Sequence, residues 1–122
     1  MFIEKRKFPR VNIPCKISCV FGERLLVFNN HTENLSATGM RVILEEKLSI
    51  STIVDIELLL LDREKHLKCK GQIVWTKEIN PPETEPRIFD IGIKFIEIND
   101  SSQEELKKFV NALISKAHGD KE

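Results

Sequence analysis

Apolar and polar side chains alternate with a period of two through most of the first hundred residues. Ile13, Cys15, Ile17, Cys19 and Phe21 fall on one face, with Lys16 and Ser18 on the other, the pattern of a half-buried strand. Gly22-Glu23 follows as a turn. Leu25 to Phe28 begins a second strand, which the polar stretch Asn29 to Glu33 interrupts or bends. Thr38 to Glu45 sets Met40, Val42 and Leu44 against Arg41, Ile43 and Glu45. Val54, Ile56, Leu58 and Leu60 oppose Asp55 and Glu57, and Asp62 to Lys65 makes the next turn. Leu67, Cys69, Gly71, Ile73 and Trp75 then alternate with Lys68, Lys70 and Gln72, which makes Trp75 a core position. Beyond the loop Asn80 to Pro86, the residues Phe89, Ile91, Ile93 and Phe95 form a last strand.

The period then changes. Leu106, Phe109, Val110, Leu113, Ile114 and Ala117 follow the spacing of an amphipathic helix. Asp100, Ser101 and Ser102 offer N-caps, Ser102 and Glu105 have capping-box spacing, and Gly119 marks the stop. Short connections favour hairpins over parallel crossovers. About six antiparallel strands without crossover helices form most simply a small closed or nearly closed barrel, since closure removes edges. The expected fold is therefore mainly β, with a C-terminal helix laying its apolar stripe on the barrel.

Composition narrows the function. At 122 residues and 41% apolar content the chain is one domain, able to bury a core without staples and too apolar for wholesale disorder. Nineteen Lys+Arg balance 19 Asp+Glu, which argues against a long nucleic acid as partner. Apolar runs such as Leu58 to Leu61 fall far short of the ~18 residues of a spanning helix, so no membrane insertion is expected. Charge occupies the N-terminus where a signal peptide would be apolar, so a cytoplasmic location is expected. Cys15, Cys19 and Cys69 are an odd set, read as free thiols. Cys15 and Cys19 lie about 13 Å apart along a strand, too far to bridge.

Catalytic signatures are absent from the sequence. The five glycines are scattered, and no Gly-x-Ser-x-Gly elbow occurs. His31, His66 and His118 are not spaced as metal ligands. A zinc site from Cys15, Cys19 and His31 conflicts with the core face that both cysteines share. The expectation is a binding module: no enzyme, no metal, no cofactor.

Two short clusters carry chemistry. The first is Lys5-Arg6-Lys7-Phe8-Pro9-Arg10, where four cations against Glu4 leave +3 in residues 1–10 and −3 over residues 11–122. Pro9 fixes its own φ and holds Phe8 extended, so this arm is stiffer than an ordinary tail. Arginine's planar fork fits phosphate oxygens and the O6/N7 edge of guanine. The second is Asn34-Leu35-Ser36-Ala37-Thr38-Gly39. On a strand, Asn34 and Ser36 project together with Leu35 turned to the core, and Gly39 allows positive φ and a close ligand. Each cluster alone also reads blandly, as a solvated basic tail and as a plain turn.

Together, RxxxR over Arg6 to Arg10 and NxSxxG over Asn34 to Gly39, about two dozen residues apart, resemble the signature of PilZ domains, bacterial receptors for cyclic di-GMP. Gly71-Gln72-Ile73-Val74-Trp75 resembles the family's Gly-x-Val-x-Trp strand, and Phe89 to Phe95 its closing strand. The resemblance covers Glu4 to Ala117. It implies a PilZ-type barrel over residues 13–117, a flexible basic ligand-binding arm over 1–12 and a polar tail over 118–122. It also implies that Arg6 and Arg10 hold guanine edges and phosphates, that Asn34 and Ser36 bond a guanine and its phosphate, and that Gly39 leaves room for the ligand. Lys5 stands where many members carry arginine, and Trp75 matches a position near the ligand in some members.

The implied function is a non-catalytic second-messenger receptor whose arm orders on binding and is read by a downstream protein partner. Two alternatives are a PilZ-fold adaptor working through protein contacts and a barrel binding single-stranded nucleic acid. The intact motifs oppose the first. The second needs exposed aromatic platforms in a chain with no Tyr and one Trp.

Overall fold

The computed structural model describes residues 12–60, 65–80, 83 and 85–119. Seven strands form one curled antiparallel sheet: β1 (Pro14–Phe21), β2 (Arg24–His31), β3 (Asn34–Leu35), β4 (Gly39–Leu44), β5 (Ile53–Leu60), β6 (Lys65–Glu78) and β7 (Phe89–Glu97). A single helix, α1 (Asp100–Gly119), follows. The order across the sheet is β2-β1-β5-β6-β7-β4-β3. The fold is the expected one, a half-barrel with a C-terminal helix, and the seventh strand is the two-residue β3.

The concave face collects the apolar half of each alternation. Ile17, Leu35, Val42, Leu58 and Ile91 are fully buried there. Leu106, Phe109 and Val110 of α1 join the same core, so the helix covers the sheet as its stripe requires. The side chains of Ile114 and Ala117 lie outside the described residues. Phe21 departs from its face and is 65% exposed, because it closes the β1–β2 hairpin beyond the last core residue, Cys19. The cap also differs from expectation. Asn99 Oδ1 accepts the Ser102 backbone N–H at 2.7 Å, so the cap lies one residue ahead of Asp100, and Ser102 sits inside the first turn.

Two side chains tie the ends of the sheet. Asn30 on β2 donates through Nδ2 to the Ile43 carbonyl on β4 at 2.8 Å. Thr32, fully buried, accepts the Ile13 N–H on its hydroxyl at 3.2 Å and donates its own N–H to the Ile13 carbonyl at 2.9 Å. Ile13 is thereby pinned two residues ahead of β3. Residues 1–11 lie outside the described residues.

Two irregularities in the β6–β7 ladder shape the outer surface. Ile73 pairs with Ile93, but Trp75 pairs with Gly92, so Val74 is an extra residue on β6. Such a bulge shifts the side-chain phase by one. Gly71 and Ile73 point inward, and Trp75 turns outward, 40% exposed, where strict alternation makes it core.

Candidate functional site

The segment after β3 is a loop held by one hydroxyl. Ser36 Oγ accepts the backbone N–H groups of Thr38 and Gly39, both at 3.1 Å. It lies 3.3 Å from the Gly39 carbonyl, to which it can donate. The Ser36 N–H donates to the same carbonyl at 2.9 Å. This is a tight serine turn, and Ser36 is only 7% exposed. The strand stops at Leu35, so Ser36 does not project beside Asn34 as a strand residue would. Leu35 enters the core as expected.

Gly39 opens β4 opposite Lys94 of β7. A Cβ there would strike the Ile93 carbonyl, with the Lys94 α-carbon at 3.5 Å, so the neighbouring backbone occupies the side-chain space. Its φ is not positive, whereas Gly22 in the β1–β2 turn has φ 66°. Glycine is thus required at position 39 by strand packing, whatever lies outside.

Asn34, Ser36, Gly39, Arg41, Trp75 and Lys94 border one open cleft of about 330 Å³. Strand pairing assembles it: Asn34 faces Arg41, Gly39 faces Lys94, and Trp75 faces Gly92. The missing side chain of Gly92 gives the indole its seat, since a Cβ there would lie 2.7 Å from Trp75 Cδ1 and closer still to the ring nitrogen. Two broader hollows, one of about 500 Å³ beside His31 and His66 and one of about 550 Å³ beside Lys68 and Cys69, contain no motif residue.

The cleft has a defined charge layout. Arg41 Nε donates to Asp90 Oδ1 at 2.7 Å. That hydrogen bond, with the negative charges of Asp90 and Glu33, holds the guanidinium protonated above its ordinary range. Arg41 is therefore a neutralised cation at the cleft edge, while Lys94 is exposed. On the far side, Gln103 of α1 reaches the Ala37 carbonyl at 3.5 Å. Among the described residues no group of His, Cys, Asp and Glu could hold a metal ion. No helix of the described residues is long and apolar enough to cross a membrane.

Of the residues singled out from the sequence, Asn34, Ser36, Gly39 and Trp75 come together. Lys5, Arg6 and Arg10 lie outside the described residues. Arg41, Lys94 and Gly92 also line the cleft, although no sequence motif marks them as site residues. Their signal is weak: each sits on the polar or glycine phase of a strand, and only the register between strands brings them to the cleft.

The chain matches the PilZ domain family model over residues 4–112. No match was found among curated proteins. Among solved structures it is similar to the Bacillus subtilis inhibitor of motility MotI/DgrA (17% identity, TM-score 0.68, covering 93% of this chain and 53% of that one). It is also similar to MrkH of K. pneumonia (15%, TM-score 0.72, 97% and 54%). A third is the PilZ domain of YcgR from Escherichia coli with c-di-GMP (15%, TM-score 0.63, 96% and 97%). The chain spans about half the length of MotI and MrkH and nearly all of the YcgR domain. At these identities the likeness is one of fold. The family match covers most of the chain, and the chain belongs to the PilZ domain family.

Proposed function

We propose that this chain is a non-catalytic, cytoplasmic receptor for cyclic di-GMP, and that the cleft of Asn34, Ser36 and Trp75 is one wall of its site. The observation that carries the reading is the pinning of Ile13, next to the first described residue, to Thr32, two residues ahead of Asn34. Arg10 is three residues from Ile13, a reach of at most about 11 Å. Closure of Arg6 and Arg10 over the cleft is part of this proposal. A solved PilZ domain, that of YcgR, carries c-di-GMP, which supports the ligand class.

The chemistry divides as follows. Asn34 offers both a donor and an acceptor to a guanine edge. Ser36 accepts the Thr38 and Gly39 N–H groups and lies 3.3 Å from the Gly39 carbonyl, so to reach a phosphate its hydroxyl proton must turn away from that carbonyl. Trp75 offers a ring face for base stacking, worth about 1–3 kcal/mol per base. A cleft of about 330 Å³ is at the lower end of the ~300–1,000 Å³ range for small-molecule sites. A ligand with two guanines and two phosphates needs a second wall, which Arg6 and Arg10 supply, with Lys5 as an added charge. The ligand favours the closed arm by its differential affinity, and a downstream protein partner reads the ordered surface.

Isothermal titration tests this. Cyclic di-GMP should bind at micromolar concentrations or below, and Arg6→Ala or Arg10→Ala should each weaken binding roughly tenfold to a hundredfold, the effect of losing a charge-assisted contact of about 1.5–3 kcal/mol. Absence of heat from the folded wild-type chain, or affinity unchanged in the double variant, would overturn it.

A further inference from the structure

The outer edge of β2 is open. β2 ends the sheet order, and among the described residues no strand pairs with its far side. Asn30 reaches β4, but this tie is at one end, and Arg24 to Phe28 lie beyond it. Edges are normally blunted by charge, proline, bulges or shortness. This one is eight residues long and pairs with β1 through all eight without a register shift. Its free part reads Arg-Leu-Leu-Val-Phe, with one charge and no proline.

The edge also adjoins the most exposed apolar side chains of the sheet. Val20 (73% exposed) and Leu25 (66%) are cross-strand neighbours, with Phe21 (65%) and Val27 (43%) beside them. A positive φ at Gly22 and none at Glu23 fits a two-residue type II′ turn. Phe21 and Arg24 then close the hairpin, so Arg24, Leu26 and Phe28 bond to β1, and Leu25 and Val27 turn N–H and C=O outward.

We propose that two copies of this chain join through β2, antiparallel, about a two-fold axis at Leu26. The occupant is argued from self-complementarity, which a two-fold interface demands. In that register Leu25 of one copy faces Val27 of the other, Arg24 faces Phe28, and Glu23 faces Asn29. Every outward pair near the axis is apolar, and no like charges meet. The formal net charge of zero leaves no overall repulsion between copies. A partner of another sequence would find the same backbone edge, but the symmetric placement of apolar residues about Leu26 favours the second copy.

The test is sedimentation equilibrium of the full chain, without nucleotide, from micromolar to millimolar concentration. The wild type should show a reversible monomer–dimer equilibrium. Leu25→Lys with Val27→Lys puts lysine against lysine twice across the axis and should weaken dimerisation about tenfold or more. Leu25→Glu with Val27→Lys opposes unlike charges in the same register and should restore much of it. Both variants change exposed positions, and their thermal midpoints report that they fold. Amide exchange of the unaltered chain gives a second readout: Leu25 and Val27 should gain protection as concentration rises. A monomer at millimolar concentration, equal masses for the two charged variants, or protection that ignores concentration would each overturn the proposal.

Discussion

Trp75 occupies the space where a side chain on Gly92 would stand. The two are paired across β6 and β7, and a Cβ on Gly92 would lie 2.7 Å from the indole Cδ1. The bulge at Val74 turns the ring outward, and the glycine lets it settle on the sheet.

Gly92→Ala must therefore lift the indole. Overpacking of this kind costs about 1–3 kcal/mol when neighbours cannot yield. Here the ring is at the surface and can move, so the expected stability loss is at the lower end. Trp75 is the only tryptophan, so emission reports it alone. The variant should show altered emission before any ligand is added and weaker binding of cyclic di-GMP. In the wild type, the ligand itself should change the emission. A fluorescence spectrum indifferent to saturating ligand would remove Trp75 from the site.

Ser36 is the keystone of the motif loop, since it alone accepts the N–H groups of both Thr38 and Gly39. Ser36→Ala strands two donors in a poorly exposed turn. A cost of about 1–3 kcal/mol in folding stability follows from losing such partners. Chemical denaturation should show it in the ligand-free protein. If the midpoint stays put while nucleotide affinity falls, Ser36 acts on the ligand and not on the loop.

Much of this arrangement was legible in the sequence, and its misreadings share one origin. Alternation placed Ile17, Val42, Ile56 and Ile91 in the core because each belongs to an unbroken strand, and a period of two is a local property. It failed at Trp75 because a bulge is a relation between two strands. For Asn34 to Gly39 the strand projection and a plain turn both fit the sequence, and the Ser36 hydroxyl decides for the turn immediately after Leu35. Asn99, Asp100, Ser101 and Ser102 are all of the capping type, and only the geometry singles out Asn99. Arg41 and Lys94 were unremarkable polar strand positions until pairing set them opposite Asn34 and Gly39.

The Arg41–Asp90 pair is partly buried, with side chains 33% and 16% exposed. Arg41→Gln leaves the Asp90 carboxylate without its cation at the cleft edge. The expected loss is about 1–2 kcal/mol, the range for a charge-assisted hydrogen bond that solvent partly replaces. It should also weaken an anionic ligand, because Asp90 is then uncompensated. The Lys70–Asp55 pair, on the exposed outer face, is the control. Lys70→Gln should leave the denaturation midpoint unchanged, since exposed pairs contribute little. Equal effects from the two substitutions would show that burial does not set the difference.

Alkaline pH should destabilise the domain in part through its thiols. Burial pushes Cys15 and Cys69 up from 9.0 to about 11, because the thiolate is not solvated inside the sheet. The unfolded chain then loses these protons at lower pH than the folded one. Between those values the folded state binds more protons, so stability falls as pH rises. The contribution is complete below about pH 9 and lost progressively toward about pH 11. For Cys15, two pKa units correspond to at most about 2–3 kcal/mol. Lysines titrate in part of the same window, so the slope alone does not identify the thiols. Cys15→Ala does: it should lower stability at neutral pH through lost packing and flatten its decline between pH 9 and 11. Urea midpoints of both proteins across that window give the comparison, and parallel slopes would assign the alkaline transition to other groups.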